Sequence, residues 1–363
     1  MTKAALRALD LFAGTGWGVA CQRVGIEEMG VEIMPEAVAT REANGMHTIY
    51  RDVWDGLTGP ALSYDLLIAS PPCQTFSMAG NGAGRAALDE VIGAIELHAY
   101  KDPQALREFG EKHDPPPALV LTPLAHVWRD RPRMVALEQV PTVLPVWQAV
   151  AGVMRQWGYS VAVGVLNAEQ YGVPQTRKRA ILVGRLDGSA NLPTPTHSRY
   201  YSHAPEKLDA GVLPWRPMGE ALGLSGFTAE KVMGKGMVKR HGTRPGRDAD
   251  TPAFAIRASA GGMEPGGFVL RSNYGSGGDP AKRGERTIHQ PSATLTSKAD
   301  RMKWDGTRRL SAEEAAALQT YPSDFIWTGK RFLQIGNAVP PLLAEAILTA
   351  LVSEPAIELK EAA

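Results

Sequence analysis

Cysteine is scarce in this chain, because only Cys21 and Cys73 occur among its 363 residues. Two cysteines are too few for a disulfide framework or for a cysteine-rich zinc site. We therefore expect no structural metal and a reducing compartment, the cytoplasm.

No targeting segment and no long apolar run is expected. The first residues, MTKAALRALDLFAG, lead directly into a strand-like segment, so we expect no signal peptide. We find no apolar run that we expect to span a bilayer. The apolar content of 44% and the charged content of 21% are typical of a globular protein, and no membrane partner is expected.

The whole chain lacks a strong charge of either sign, since its net charge is +1. The distribution is uneven: residues 1–186 carry 17 Lys and Arg against 19 Asp and Glu, a net of −2, whereas residues 196–310 carry 19 against 11, a net of +8. A basic excess in one segment is expected where one lobe contacts phosphates, and a solvated basic surface is the alternative.

Strand-like and helix-like segments alternate through the first half of the chain. Strands are predicted at 7–12, 31–34, 64–70, 134–140 and 179–186, and helices from 19 and at 35–44 and 146–157. This alternation predicts an α/β fold with a doubly wound, mostly parallel sheet. Functional residues are then expected at the carboxyl ends of the strands.

The composition changes after about residue 187. Residues 223–284 contain 14 glycines and few apolar runs, which predicts a smaller, loop-rich domain with short strands. Two segments in this half are similar, DTPAFAI at 250–256 and QPSATLT at 290–296; they are either a small internal duplication or two similar strand entries.

Helical patterns return near the end of the chain. Residues 311–320 begin with Ser311 and Glu314 at the spacing of a capping box, and a second helix is predicted at 340–352. We expect the second helix to pack back onto the first lobe. The predicted domains are a catalytic and cofactor-binding domain at 1–186, a target-binding domain at 187–306 and a completing segment at 307–363.

A glycine-rich turn follows the first predicted strand, with the sequence DLFAGTGWG from Asp10 to Gly18. Glycines let a backbone turn sharply and approach a ligand closely, although an ordinary strand–helix turn has the same composition. Glu32 could accept hydrogen bonds from ribose hydroxyls, and Asp52 from an adenine amino group. The run is not Gly-x-Gly-x-x-Gly, which favours a nucleoside cofactor without pyrophosphate over NAD.

The sharpest local signal is Ser70-Pro71-Pro72-Cys73-Gln74, at the end of a predicted strand. Two prolines restrict the backbone before the thiol. Free cysteine is usually a buried small hydrophobe, an interpretation that suits Cys21 better than Cys73. Amino-methylating enzymes have a similar Pro-Pro turn that ends in an aromatic residue, which stacks on the base. A nucleophile in place of that aromatic residue implies covalent attack on a ring carbon.

Two further polar groups are candidates for the same site. Glu138 ends another predicted strand and could exchange a proton, although a single glutamate there is more often solvated. Gln175, Arg177 and Arg179 alternate, so we expect them on one strand face, where they could bind a planar or anionic ligand. A basic edge strand is the alternative.

Together these segments resemble the C5-cytosine DNA methyltransferase family of bacteria and phages. DLFAGTGWG resembles its first cofactor motif, SPPCQTFSMAG its catalytic loop, LEQV its Glu-Asn-Val motif, QTRKR its Gln-x-Arg-x-Arg motif and QIGNAVPP its late Gly-Asn-[Ser/Ala]-Val motif. The five segments occur in the family's order over nearly the whole chain.

The resemblance implies a class I methyltransferase fold and S-adenosyl-L-methionine as cofactor, with S-adenosyl-L-homocysteine as product. Phe12 would lie against the adenine of the cofactor, Glu32 would bind the ribose, and Asp52 and Val53 would contact the adenine base. The full set of cofactor residues implied is Phe12, Gly14, Gly16, Trp17, Glu32, Ile33, Asp52, Val53, Pro72, Leu119, Asn337 and Val339.

The resemblance also implies the catalytic chemistry. Addition of the Cys73 thiolate to C6 of cytosine makes C5 nucleophilic. Glu138 would contact N3 and the amino group, and Arg179 would hold O2 with Arg177 supporting it. The target base must leave the duplex to reach such a site.

Contacts to double-stranded DNA are implied in two places. Gln74 and Ser77 lie in the catalytic loop, and Arg240, Arg244 and Arg247 form a candidate phosphate or groove cluster in the variable segment. A monomer is expected, and a cognate restriction endonuclease is a candidate partner.

Two departures from the family pattern are visible. The stretch from Cys73 to Leu119 is longer than usual and predicts an extra helix near 86–98. Gln139 replaces the asparagine of the Glu-Asn-Val motif, which leaves Glu138 in place.

A C5-cytosine methyltransferase acting on tRNA is the main alternative. One class of RNA enzymes uses a second catalytic cysteine, and Cys21 lies far from such a motif. Retention of Cys73, Glu138 and Arg179 argues against a non-catalytic nucleic-acid-binding protein, and the long segment 187–306 favours duplex DNA. The missing pyrophosphate pattern argues against a nucleotide-dependent oxidoreductase.

Overall fold

The computed structural model describes residues 5–72, 83–111, 117–224, 269–271, 286–304 and 308–353. Its main sheet has seven strands: β1 (Arg7–Leu11), β2 (Glu27–Val31), β3 (His47–Tyr50), β4 (Leu66–Ala69), β5 (Met134–Gln139), β6 (Ser160–Asn167) and β7 (Lys178–Arg185). Their order is β3-β2-β1-β4-β5-β7-β6, and only β7 runs against the others. This confirms the predicted doubly wound, mostly parallel α/β sheet.

Helices cover both faces of this sheet. The α-helices are α1 (Gly16–Val24), α2 (Pro35–Ala43), α3 (Val53–Thr58), α4 (Ala83–Glu96), α5 (Pro103–Glu111), α6 (Thr122–Asp130), α7 (Leu144–Gln156), α8 (Met218–Ala221), α9 (Ala312–Leu318), α10 (Arg331–Asn337) and α11 (Pro341–Val352). Parallel strands need such crossover helices, which explains why β4 and β5 are buried along their whole length.

The two faces of the sheet form separate cores. In β4, Leu67 packs into the core that contains α7, whereas Leu66 and Ile68 pack into the core that contains α1 and α11. The two-residue period of the strand places these side chains on opposite faces. The contact of α11 with α1 confirms that the helix predicted at 340–352 packs back onto the first lobe.

The first lobe carries additional helices after β4. Helix α4 confirms the extra helix expected near 86–98, and α5 follows it. Both belong to the layer on the α7 side of the sheet, where α4 contacts α7. The extra length therefore adds to this core.

One predicted strand was wrong in position. We predicted a strand at 31–34, but β2 spans Glu27–Val31 and residues 32–34 form the connection to α2. Strand β3 was not predicted. The β2 segment begins with two glutamates, a composition that argues against a central strand on propensity alone.

Short strands and loops follow residue 187 in the described part of the chain. A second, antiparallel sheet contains β8 (Val269–Arg271), β9 (Arg286–Thr287), β10 (Lys303–Trp304) and β11 (Arg308–Arg309). The predicted strand at 290–296 forms only a single bridge, between Ser292 and Gln175. The similar segment at 250–256 lies outside the described residues.

Helix α9 begins with the predicted capping box. The Ser311 hydroxyl accepts from the Glu314 backbone N–H at 3.1 Å, and Glu314 accepts from the Ser311 N–H at 2.8 Å. These two bonds satisfy N–H groups that lack partners within the helix.

One described stretch, Arg331–Val352, is long and apolar enough to cross a membrane by length and composition. We expected no such run from the sequence. The stretch is interrupted between α10 and α11, and most of it is buried inside the protein. A core helix of a globular protein has the same composition.

Candidate active site

The carboxyl ends of four neighbouring strands meet at one edge of the sheet. Leu11 of β1 pairs with Val31 of β2 and with Ala69 of β4, and Ala69 also pairs with Leu137 of β5. The residues that follow these positions therefore lie side by side. Among the described residues they include Phe12, Glu32 and Glu138, which the sequence singled out.

The glycine-rich turn after β1 is bonded to the end of β2. The Glu32 carboxylate accepts from Gly14 N–H at 2.9 Å and from Met34 N–H at 2.8 Å. Gly14 has a φ of +46°, which glycine adopts at low cost, and the space beside its α-carbon is open. Two backbone donors thus fix the direction of a buried carboxylate whose remaining lone pairs can accept further hydrogen bonds.

The late Gly-Asn-Ala-Val segment lies directly on the same turn. A β-carbon at Gly16 would lie 2.1 Å from the Val339 carbonyl oxygen, so only glycine allows this approach. Thr15 and Tyr321 are hydrogen-bonded through their hydroxyls at 2.6 Å. Val339 is buried and Asn337 is exposed. The turn is therefore closed from one side by residues more than 300 positions later.

Ile33 directly follows Glu32, and Asp52 follows the end of β3, which pairs with the end of β2. Ile33 is 68% exposed, which is unusual for an isoleucine next to a buried strand. Asp52 caps α3 by accepting from Trp54 N–H through Oδ1 at 3.0 Å, which leaves Oδ2 for another donor. Val53 is buried directly after it.

Two partly buried apolar side chains belong to the core beneath this edge. Phe12, at a φ of 58°, and Leu119 both pack against the core on the α7 side of the sheet. They come from segments more than 100 residues apart. Their assignment to the apolar walls of a cofactor pocket stays a prediction.

The prolines after β4 are held from two sides. Trp17 Nε1 donates to Ser70 Oγ at 2.9 Å, and Gln139 Nε2 donates to the Pro71 carbonyl at 2.6 Å. Pro72 is exposed. Gln139, which replaces the asparagine of the family pattern, therefore makes a defined hydrogen bond to the first proline of this turn.

Several candidate residues lie outside the described residues. These are Cys73, Gln74, Ser77, Arg240, Arg244 and Arg247. Within the described part of the chain, no group of three His, Cys, Asp or Glu residues could hold a metal ion.

Glu138 and Arg179 form an ion pair at the ends of β5 and β7. Arg179 Nε lies 2.6 Å from Glu138 Oε1, and both side chains are largely buried. Glu138 pairs with Ile181 in the antiparallel ladder, so Arg179, two residues before Ile181, is on the same face. An acceptor and a planar donor are thereby placed next to the proline turn.

The prediction that Gln175, Arg177 and Arg179 share one strand face is wrong, because their side chains have different partners in the structure. Arg177 is buried and donates to the carbonyls of Leu295 at 2.7 Å, Gly336 at 3.0 Å and Ala338 at 2.9 Å.

Gln175 likewise bonds away from Glu138, since its Oε1 accepts from Leu295 N–H at 2.9 Å. Strand β7 begins at Lys178, so the strict alternation does not extend back to these residues. Only Arg179 of the three reaches Glu138.

The sequence interpretation missed a buried charged cluster beneath the turn. Arg41 is 0% exposed and pairs with Glu28, and Asp10 is buried nearby. Arg41 follows Ala37 by four residues and Val38 by three, so it lies on the apolar face of α2. An arginine at that position is a signal that could have been recognised.

The comparisons with known proteins agree with this architecture. The model of the C-5 cytosine-specific DNA methylase family matches residues 6–100 and 111–353. Similar curated proteins include the type II methyltransferase M1.HphI of Haemophilus parahaemolyticus, at 29% identity over 95% of this chain and 86% of that protein.

A second relative is M.AplI of Arthrospira platensis, at 26% identity over 94% of this chain and 84% of that protein. Among solved structures, the Dnmt2 methyltransferase of S. pombe superposes with a TM-score of 0.53 at 14% identity, covering 95% of this chain and 98% of the other. This last similarity concerns the fold alone. The chain belongs to the family of C-5 cytosine-specific DNA methylases.

Proposed function

We propose that this protein transfers a methyl group from S-adenosyl-L-methionine to C5 of cytosine in a specific sequence of duplex DNA. The observation that carries the proposal is the Glu138–Arg179 pair beside the proline turn that leads to Cys73. Such a pair offers an acceptor and a donor to the edge of a base.

The residues around the glycine turn fit the cofactor. The Glu32 carboxylate is oriented by two backbone donors and can accept from ribose hydroxyls. The exposed Ile33 and the free oxygen of Asp52 suit the face and the amino group of an adenine. The open space at Gly14 leaves room for a ligand. When bound, the cofactor supplies an electrophilic methyl group on a sulfonium.

The remaining cofactor residues are assigned by position. We assign Gly16, Trp17, Pro72, Asn337 and Val339 to the surroundings of the turn, and Val53, Leu119 and Phe12 to the walls of the pocket. In this assignment Gly16 and Val339 shape the pocket through their close backbone approach.

The chain's own residues then perform the base chemistry. The Cys73 thiolate adds to C6, which gives C5 the nucleophilicity of an enamine. Glu138 binds N3 and the amino group, and Arg179 binds O2, so both stabilise the charge that develops on addition. Once C5 carries the methyl group, its proton must leave to a base or water and the Cys73–C6 bond must break, which restores the ring and frees the thiolate. Arg177 supports the site indirectly, because its guanidinium donates to the backbone carbonyls of Gly336 and Ala338.

The target base must be extruded from the duplex to reach this site. We assign target recognition to residues 187–306, with Arg240, Arg244 and Arg247 on the DNA and Gln74 and Ser77 in the catalytic loop. The catalytic domain consists of residues 1–186 and 307–363. We further propose that the protein is a cytoplasmic monomer, with a cognate restriction endonuclease as a candidate partner.

The decisive experiment incubates purified protein with labelled S-adenosylmethionine and either duplex DNA or tRNA. We expect label in duplex DNA, with bisulfite sequencing giving the modified cytosine and its sequence context. Cys73→Ser is expected to abolish labelling. Cys21→Ser is the matched control, because this second cysteine is buried in α1 and should leave catalysis intact.

Two results would contradict the proposal. Labelling of tRNA without labelling of DNA would overturn the substrate. Activity that survives Cys73→Ser would overturn the covalent mechanism.

A further inference from the structure

Arg41 is a charged side chain with 0% exposure, on the face of α2 that packs on the sheet. Burying a guanidinium is costly unless its donors and its charge are matched. The contacts of Arg41 show what this side chain connects.

The Arg41 guanidinium bonds to the ends of three strands. Nε donates to Thr48 Oγ1 at 3.1 Å, and Nη2 donates to the His47 carbonyl at 2.9 Å. Nη2 also donates to both Glu28 oxygens, at 2.7 and 2.9 Å. Nη1 donates to the Gly14 carbonyl at 3.1 Å, in the turn after β1.

The backbone leaves a gap for this guanidinium at Gly30. A β-carbon there would lie 2.0 Å from Arg41 Nη2 and 2.4 Å from Cζ. Glycine weakens the interior of a strand, so Gly30 makes β2 less stable than a larger residue would. The space that the Arg41 guanidinium needs explains why a glycine is found there.

The cluster holds two buried carboxyls, Asp10 and Glu28, near one guanidinium. Burial, together with the neighbouring Glu28, holds the pKa of Asp10 well above its usual range. Burial also raises the pKa of Glu28, and the charge of Arg41 opposes that shift. Glu28 is therefore the carboxyl that Arg41 contacts directly in both its bonds and its charge.

Both ends of Gly14 are therefore fixed by side chains. Its carbonyl is held by Arg41, and its N–H is held by the Glu32 carboxylate. We infer that Arg41 is a positioning residue for the cofactor, which acts through Gly14 to orient Glu32. This inference rests on the proposed function, in which Glu32 binds the ribose.

Binding of S-adenosylhomocysteine, measured by calorimetry without turnover, tests the inference. Arg41→Lys keeps the charge and cannot span all of the acceptors, so we expect the Kd to rise about tenfold, as for the loss of one hydrogen bond. Arg185→Lys is the matched control, because this buried arginine donates to the Leu351 and Ser353 carbonyls, away from the turn. Its Kd should stay within about twofold of the wild type, a difference of roughly 0.4 kcal/mol.

A double variant separates positioning from general structure. If Arg41 acts through Glu32, Arg41→Lys should change the Kd little in a Glu32→Gln background. Additive effects would overturn the inference, and so would an unchanged Kd in folded Arg41→Lys. Wild-type protein that binds no S-adenosylhomocysteine would contradict the proposed function instead.

Thr48→Val provides the test if Arg41→Lys does not fold. It removes only the acceptor of Arg41 Nε and keeps the side-chain shape. We expect a Kd raised about threefold with an intact thermal transition, since one of several bonds is lost. An unchanged Kd in this variant would overturn the inference as well.

Discussion

Replacing Arg177 by lysine should destabilise the protein far more than the same change at Arg179. The Arg177 guanidinium reaches the Leu295 carbonyl with one arm and the Gly336 and Ala338 carbonyls with the other. An ammonium can occupy only one of these positions. At least one charge-assisted hydrogen bond is lost and a buried carbonyl is left without a donor, which costs about 2–4 kcal/mol.

Arg179→Lys is the matched control, since the residues are two positions apart. A lysine can retain the charge opposite Glu138, so we expect the free energy of unfolding to change by less than about 1 kcal/mol. The planar guanidinium is lost from the base site, so kcat per folded molecule should fall at least about tenfold.

Urea unfolding followed by circular dichroism measures the first effect, and methylation of a DNA duplex measures the second. A loss of about 2–4 kcal/mol is a large part of the roughly 5–15 kcal/mol that stabilises a typical protein. The reasoning is refuted if Arg177→Lys unfolds at the wild-type urea concentration and loses activity as Arg179→Lys does.

Three further predictions concern other described contacts. Gly16→Ala would put a β-carbon 2.1 Å from the Val339 carbonyl oxygen, so the free energy of unfolding in urea should fall by about 1–3 kcal/mol and S-adenosylhomocysteine should bind more weakly. No change in either measurement would contradict the close approach. Burial raises the pKa of Glu169 from 4.5 to about 7, so the folded state binds an extra proton in this window and stability falls as pH rises through it. Glu169→Gln should lack this loss, so its free energy of unfolding in urea should exceed that of the wild type by about 3 kcal/mol at pH 8 and equal it near pH 4.5. Equal pH profiles of the two proteins would refute this prediction. Trp17→Phe removes the donor to Ser70 Oγ, so single-turnover methylation at saturating cofactor should slow severalfold, and an unaffected rate would argue against a role for this bond.

The sheet could be predicted because its signal is local. Apolar runs such as Leu66–Ala69 and Met134–Gln139 are buried on both faces, and helical patterns between them require parallel crossovers. The capping box at Ser311 is likewise encoded within four residues. Local patterns therefore fixed the architecture and several element boundaries.

The position of β2 could not be predicted in the same way. Glu28 enters a central strand because Arg41, 13 residues later, neutralises its charge across a gap at Gly30. This compensation exists only in three dimensions. A strand predicted from apolar content alone shifts towards residues 31–34.

The division between Arg177 and Arg179 has a similar cause. Alternation predicts a shared face only within a continuous strand, but β7 begins at Lys178. Before that point the chain forms a bridge between Gln175 and Ser292, more than 100 residues away. The side chains of this stretch follow that distant partner.

The contact of α11 with α1 has a consequence during synthesis. Synthesis proceeds from the amino end, so the part of this sheet face, with Ile68 and Ile181, that α11 covers stays exposed until residues 341–352 have emerged. An apolar surface of this kind is a binding site for chaperones and a risk for aggregation. A nascent chain stopped before Val339 also lacks the carbonyl that closes the glycine turn, so truncated products cannot assemble this part of the pocket.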